Sequence, residues 1–539
     1  MLANTGERYL TSPLFEGIAE GMTNAEMEHH MEDQDTSGRR QAPIDISPER
    51  FRSAGHLLVD RIADLLAGMH DRRVTAGLSV GEIRRLIDAS AGMPDDGIDF
   101  EVALSQVTEL LTQNSLYNGH PKFLGYITSS PAPVGMLADF LAAAVNSNVG
   151  AWALSPVATE IEAQTIRWIA DLLGFPSDCS GILVSGGNMA NYVGIYTALR
   201  TVLPRDSPWR TPERMARATV YASRETHTWI EKAMDMFGFS QDGLRSIGVD
   251  SSRQLRLEEL DSKLAADLRD ERIPVAVVGN AGTVSTGAID PLPAMAELCR
   301  RYKVWFHVDG AYGGFATLVD TVTGDIRGLS QADSVAIDPH KWLYSPLEAG
   351  CVLVRDREKH RAAYSYHPPY YHFGEEATNF VDYGPQNSRG FRALKVWMAL
   401  RQVGRTGYVR MISDDISLAL ELFGRLAEDA NFEVFTHSLS IVTFRYVPEG
   451  FRKPVDEPSA ETYLNALNQA LQTRLEISGE LFLSNAVLDD RYLLRACIVN
   501  FRTSSKDIAE VAGIVVRHGR QVHQQLQRVR EPAGAGGRS

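Results

Sequence analysis

At 539 residues, with 44% hydrophobic and 23% charged side chains, the chain has room for a large α/β domain with appendages and for a deep core. A net charge of -14 argues against nucleic acid or an anionic membrane as the main partner. Cys179, Cys299, Cys351 and Cys497 show no C-x-x-C spacing, and neither a bilayer-spanning run nor a signal-peptide core is found, so a cytoplasmic location is expected.

Residues 1–45 are polar and irregular and read as a tail. His29 and His30 within it are adjacent, so on a helix they share no face; they read as solvated surface, not metal ligands. Ser47-Pro48-Glu49 is a good helix start, and Phe51, Ala54, Leu58, Ile62 and Leu66 then recur every three or four residues. That stripe, in a helical segment spanning 46–118, needs cover from its own body or from a partner subunit. Residues 119–133 (G-H-P-K-F-L-G-Y-I-T-S-S-P-A-P) read as a loop, and Ser155-Pro156 opens a further helix.

Strand-like runs at 181–184, 219–222, 274–278, 304–308, 334–337 and 351–354 alternate with helical patterns at 188–203, 227–237, 257–269 and 292–302. Such alternation predicts an α/β domain over 119–391, with a mostly parallel sheet that holds ligands at the carboxyl ends of its strands. From 392 to 528 the pattern is helical and then mixed, which predicts a small α+β domain before a tail at 529–539.

The polar residues gather where the strands end. S-G-G-N-M-A-N (185–191) leads into a helix and offers backbone N–H groups to a phosphate. His227 follows the second run, and the loop after the third carries Thr283, Ser285 and Thr286. V-W-F-H-V-D-G-A-Y-G-G (304–314) delivers Asp309, and S-V-A-I-D-P-H-K-W (334–342) delivers Lys341. Alone, either residue is compatible with a structural ion pair or a turn. Together they meet the needs of pyridoxal 5'-phosphate (PLP): a lysine for the Schiff base and a carboxylate to hold the pyridine nitrogen protonated.

In this order, S-G-G-N-M-A-N, T-H-T-W, A-G-T-V, H-V-D-G-A-Y-G-G and D-P-H-K-W resemble the group II PLP-dependent amino acid decarboxylases, which act on aromatic amino acids, histidine or glutamate. The likeness spans roughly 47–520 and includes W-A-L-S-P-V-A-T-E-I-E and L-R-A-C-I-V-N-F-R-T. It implies fold type I, shared with aspartate aminotransferase: a mostly parallel seven-stranded sheet, an N-terminal helical segment and a small C-terminal domain. It implies Lys341 as the Schiff-base lysine, Asp309 at the pyridine nitrogen, and Ala311 and His227 on the two ring faces. Gly187 and Asn188 would meet the phosphate, Thr283 would stand beside the cofactor, and Asp338 and His340 would flank the lysine. A homodimer with active sites at the interface is also implied, its N-terminal helices wrapping the partner.

Three positions depart from the family pattern. Val284 replaces a hydroxyl, Asp338 stands where the aromatic enzymes have asparagine, and Gly150 replaces a pocket phenylalanine. Asp338 is therefore expected to turn away from the phosphate or to serve only through its backbone, and the pocket to be wider or differently shaped near Gly150. Tyr126, Ser129 and Trp152 match substrate-pocket positions and supply no cation, Lys122 and Arg389 being the possible exceptions. An L-amino acid with an aromatic side chain, decarboxylated to its amine, is the leading expectation. Tyr370, with Tyr371 beside it, matches the proton donor on a mobile loop. The alternatives are an aldehyde synthase, an acidic or diamino acid decarboxylase, another lyase or a transaminase. Retention of Lys341, Asp309 and His227 argues against a non-enzymatic scaffold.

Overall fold

In a computed structural model, residues 42–204, 211–366, 377–451 and 458–530 are described. His29, His30, Tyr370, Tyr371 and both chain tails beyond 42–530 lie outside them. The chain divides into a short unit, residues 1–63, and a body, residues 64–539. In the short unit, the chain is helical from Pro48, the first residue of α1 (Pro48–Ala67), and Phe51, Leu57 and Val59 are exposed.

In the body, α2 (Phe100–Asn114) starts at Asp99, whose carboxylate accepts the N–H groups of Glu101 and Val102. Two helices with proline in the first turn follow, α3 (Pro133–Val145) and α4 (Pro156–Leu172). Then β1 (Ser180–Val184), α5 (Gly187–Val202), β2 (Ala218–Ser223), α6 (Trp229–Met236), β3 (Leu244–Ile247), α7 (Leu257–Arg269), β4 (Ile273–Asn280), α8 (Leu292–Tyr302), β5 (Trp305–Asp309), β6 (Ser334–Ile337) and β7 (Gly350–Val354) build one sheet with its covering helices.

The strand order is β1-β7-β6-β5-β4-β2-β3, with β7 antiparallel to both neighbours and the other pairs parallel. Val275 to Val278 in β4 are wholly buried, as expected for a strand covered on both faces. The ends of β1, β2, β4, β5 and β6 therefore lie along one edge of the sheet.

A long helix, α9 (Ala393–Glu428), is broken at Gly404, whose φ of +66° suits glycine. It leads to a four-stranded antiparallel sheet of β8 (Phe432–Ser438), β9 (Ile441–Tyr446), β10 (Ser484–Leu488) and β11 (Arg491–Cys497), in the order β10-β11-β9-β8. Two more helices, α10 (Pro458–Ser478) and α11 (Ser505–Arg530), pack on it around Leu467, Leu471, Phe444, Val511 and Val515. Among the described residues, no helix is long and apolar enough to cross a membrane.

Candidate active site

The loops after β1, β2, β4, β5 and β6 line an open cavity of about 490 Å³. Its floor at β1 is the turn into α5. Gly186 has φ +101°, a conformation that suits glycine, and a side chain on Gly187 would come within 2.8 Å of Asp338 Oδ2. The bare backbone therefore comes close at a helix N-terminus, the setting that accepts a phosphate.

Lys341 and Asp338 form an ion pair at 3.0 Å, at the end of β6. The expectation that Asp338 turns away from the phosphate is corrected by its place beside the Gly187 helix start: Oδ2 lies there and pairs with the lysine, while Oδ1 is buried without a hydrogen-bond partner. The charge on Lys341 offsets the cost of burying this carboxylate. His340 Nδ1 meets the Ala349 carbonyl at 2.7 Å, and burial lowers the imidazole's pKa.

Asp309 closes β5, where it is paired with Asn280 of β4 and Ala336 of β6. Its Oδ2 accepts the Trp229 indole N–H at 2.6 Å, and its Oδ1 accepts the Ala311 N–H at 3.1 Å. His227 lines the same cavity, and its Nδ1 accepts the Trp229 backbone N–H at 3.3 Å. Burial lowers the pKa of His227, with Asp309 opposing, and so favours the neutral ring. Thr283 also faces the cavity, its hydroxyl bonded to Thr286 at 3.0 Å.

Lys341, Asp309, His227, Gly187, Asn188, Thr283, Ala311, Asp338, His340 and Tyr126 are thus brought to one cavity. Ser129 and Trp152 do not line it. The Ser129 hydroxyl donates to the His340 carbonyl at 2.7 Å, so it braces the lysine-bearing turn from behind. Trp152 is 38% exposed and donates to Glu160. Gly150 is also outside the lining; a side chain there would come within 2.1 Å of the Asn387 carbonyl oxygen, so backbone packing requires the glycine. Tyr370 lies outside the described residues.

The two possible cations are engaged elsewhere, Lys122 with Glu510 and Arg389 with Glu162 in a fully buried pair. Among the described residues, the cation that does line the cavity, besides Lys341, is Arg495 of β11. It is 4% exposed and donates to the Val284 carbonyl, and its Nε is buried without a hydrogen-bond partner. Its sequence signal was a lone charge inside the apolar run Leu493-Leu494-Arg495-Ala496-Cys497.

A bare helix start, a carboxylate held from behind and a lysine at neighbouring strand ends fit PLP, and the sheet defines the class: an α/β enzyme of fold type I. The pyridoxal-dependent decarboxylase conserved domain matches residues 81–447. An aromatic-L-amino-acid decarboxylase of Bacillus atrophaeus is 31% identical over 473 residues, covering 87% of this chain and 95% of that protein. A phenylacetaldehyde synthase of Arabidopsis thaliana is 30% identical, covering 89% and 97%. The fold matches a crystal structure of Oryza sativa TDC with PLP and tryptamine at a TM-score of 0.82, with 24% identity and coverage of 89% and 99%. The chain belongs to the pyridoxal-dependent decarboxylases.

Proposed function

We propose that the chain decarboxylates an aromatic L-amino acid to its amine, with Lys341 as the covalent anchor of PLP. The observation that carries this reading is the convergence of Lys341, Asp309 and the Gly186-Gly187 helix start on one cavity. The N–H groups at the start of α5 would take the phosphate, Asp309 the pyridine nitrogen, and His227 and Ala311 the two ring faces. When bound, PLP supplies an electron sink for the bond pair left behind by CO2. The neutral imidazole of His227 can stack without adding a charge that competes with the pyridinium. Arg495 offers its guanidinium to the substrate carboxylate, and Tyr370 would return a proton to the α-carbon.

The aromatic preference is supported by the relatives, which include a tyrosine decarboxylase of Petroselinum crispum at 29% identity. The phenylacetaldehyde synthase relative supports a second reading, in which oxygen intercepts the reaction and aldehyde is released. We also infer a homodimer in a reducing compartment, a reading supported by the exposed apolar face of α3 and by four free cysteines.

The test is product analysis in air with a panel of amino acids, using wild type and Lys341→Ala. Amine and CO2 from tryptophan, tyrosine or phenylalanine, abolished in the variant, are the expected result. Borohydride fixing of PLP to Lys341→Ala at wild-type level would overturn the anchor. Peroxide and aldehyde from the wild type would favour the second reading.

A further inference from the structure

We propose that Trp229 is the positioning residue of the active site, holding Asp309 and His227 in register with each other. The proposal rests on the reading that Asp309 serves the pyridine nitrogen. The backbone of β5 fixes the Cα of Asp309 but leaves its side-chain torsions free. Two donors remove that freedom, the Trp229 indole on Oδ2 at 2.6 Å and the Ala311 N–H on Oδ1 at 3.1 Å. One donor on each oxygen sets the plane of the carboxylate and leaves the remaining lone pairs for the cavity. The neighbouring amide of Asn280 cannot take over this task, because it is committed to Asp290 and Thr226.

Trp229 is itself locked in place. It is 1% exposed, so its N–H has no water to turn to. Its ring meets His307 edge-on, with centroids 6.0 Å apart. His307 in turn bonds through both nitrogens, to Asn191 at 2.7 Å and to Ser334 at 2.8 Å. Burial lowers the His307 pKa to about 4, so this support stays neutral through the working pH range. The backbone N–H of Trp229 reaches His227 Nδ1, which places the ring proton of neutral His227 on Nε2. Trp229 thus orients Asp309 through its indole and His227 through its backbone N–H, and the variants below remove only the indole contact.

The test compares wild-type holoenzyme with Trp229→Phe and with an isosteric variant carrying 3-benzothienylalanine at position 229, in which sulfur replaces the indole N–H. Covalent PLP at Lys341, read by borohydride reduction and mass, is expected within about twofold of wild type. The visible circular dichroism of the bound cofactor should change, and kcat should fall about 10–100-fold with little change in KM, as expected for misplacement of a working group. Wild-type dichroism and kcat in the isosteric variant would overturn the proposal, since that variant preserves the packing. Asp309→Asn, run alongside, separates the two ways of failing. If it loses kcat while the isosteric variant does not, only the role of Trp229 has failed; if it too keeps kcat, the reading of Asp309 has failed.

Discussion

Arg495 reaches the cavity from the small sheet with its Nε unpartnered, and burial lowers its pKa. A buried guanidinium without a matching anion is destabilising by about a few kcal/mol, and an arriving carboxylate would offset that cost. Arg495→Met is therefore expected to leave the melting temperature of the free protein unchanged or raised, while KM for the amino acid rises at least about tenfold. A melting scan and initial rates check both parts, and an unchanged KM would remove Arg495 from substrate binding. Lys341, Asp309 and His227 were legible in the sequence because each sits at the end of a recognisable apolar run. Arg495 was harder to find, since it belongs to a strand more than a hundred residues downstream and meets the cavity only through tertiary packing. Ser129 shows the opposite limit: a hydroxyl in a loop carries no sequence sign of which way it faces.

At the scale of elements, α9 anchors the turn that carries the lysine. Asp415 Oδ2 accepts the Trp342 indole N–H at 3.0 Å and the Tyr344 hydroxyl at 2.7 Å, and Tyr408 donates to the Leu343 carbonyl. Burial raises the Asp415 pKa to about 7, from an ordinary value of 3.8. Between those two values the folded chain holds a proton that the unfolded chain has released, so this carboxyl's contribution to stability falls as pH rises and is level above about 7. Asp290, raised to about 6, acts in the same sense. His307 and His360 act in the opposite one, because their lowered values cost stability as pH falls below 6.5. The difference between wild type and Asp415→Asn isolates one group: in denaturant unfolding, the stability of wild type relative to the variant should be lower at pH 8 than at pH 5. The same difference at both pH values would mean that Asp415 is ionised throughout. The helices at 257–269 and 292–302 were legible to the residue from their apolar periodicity. Two strands absent from that reading have weaker patterns: β3 is a four-residue edge strand with one buried position, and the five residues of β10, Ser-Asn-Ala-Val-Leu, alternate in burial but not in polarity.

For the whole molecule, the order of the strand-end motifs was legible because a parallel sheet sends successive loops to one edge whatever its strand order. What a single chain leaves open is the fate of its apolar surface. On α3, Leu137, Phe140, Leu141 and Val145 are all more than half exposed, and beyond it so are Leu154 and Val157. A lone exposed leucine is ordinary, but four large apolar side chains on one thirteen-residue helix are not. Each such side chain, already part-covered, contributes about 1–2 kcal/mol when the rest is buried, so a symmetric contact that repeats the face on both copies can carry a stable dimer. Leu141→Asp places a charge in that face without touching the cavity lining. It is expected to shift the sedimenting species from dimer to monomer at micromolar concentration and to lower activity with the dimer fraction. Tyr126, in the cavity wall, is itself 57% exposed, so the cavity is open to solvent on that side. A Leu141→Asp protein that still sediments as a dimer would move the interface off α3, and a fully active monomer would show that the cavity needs no partner.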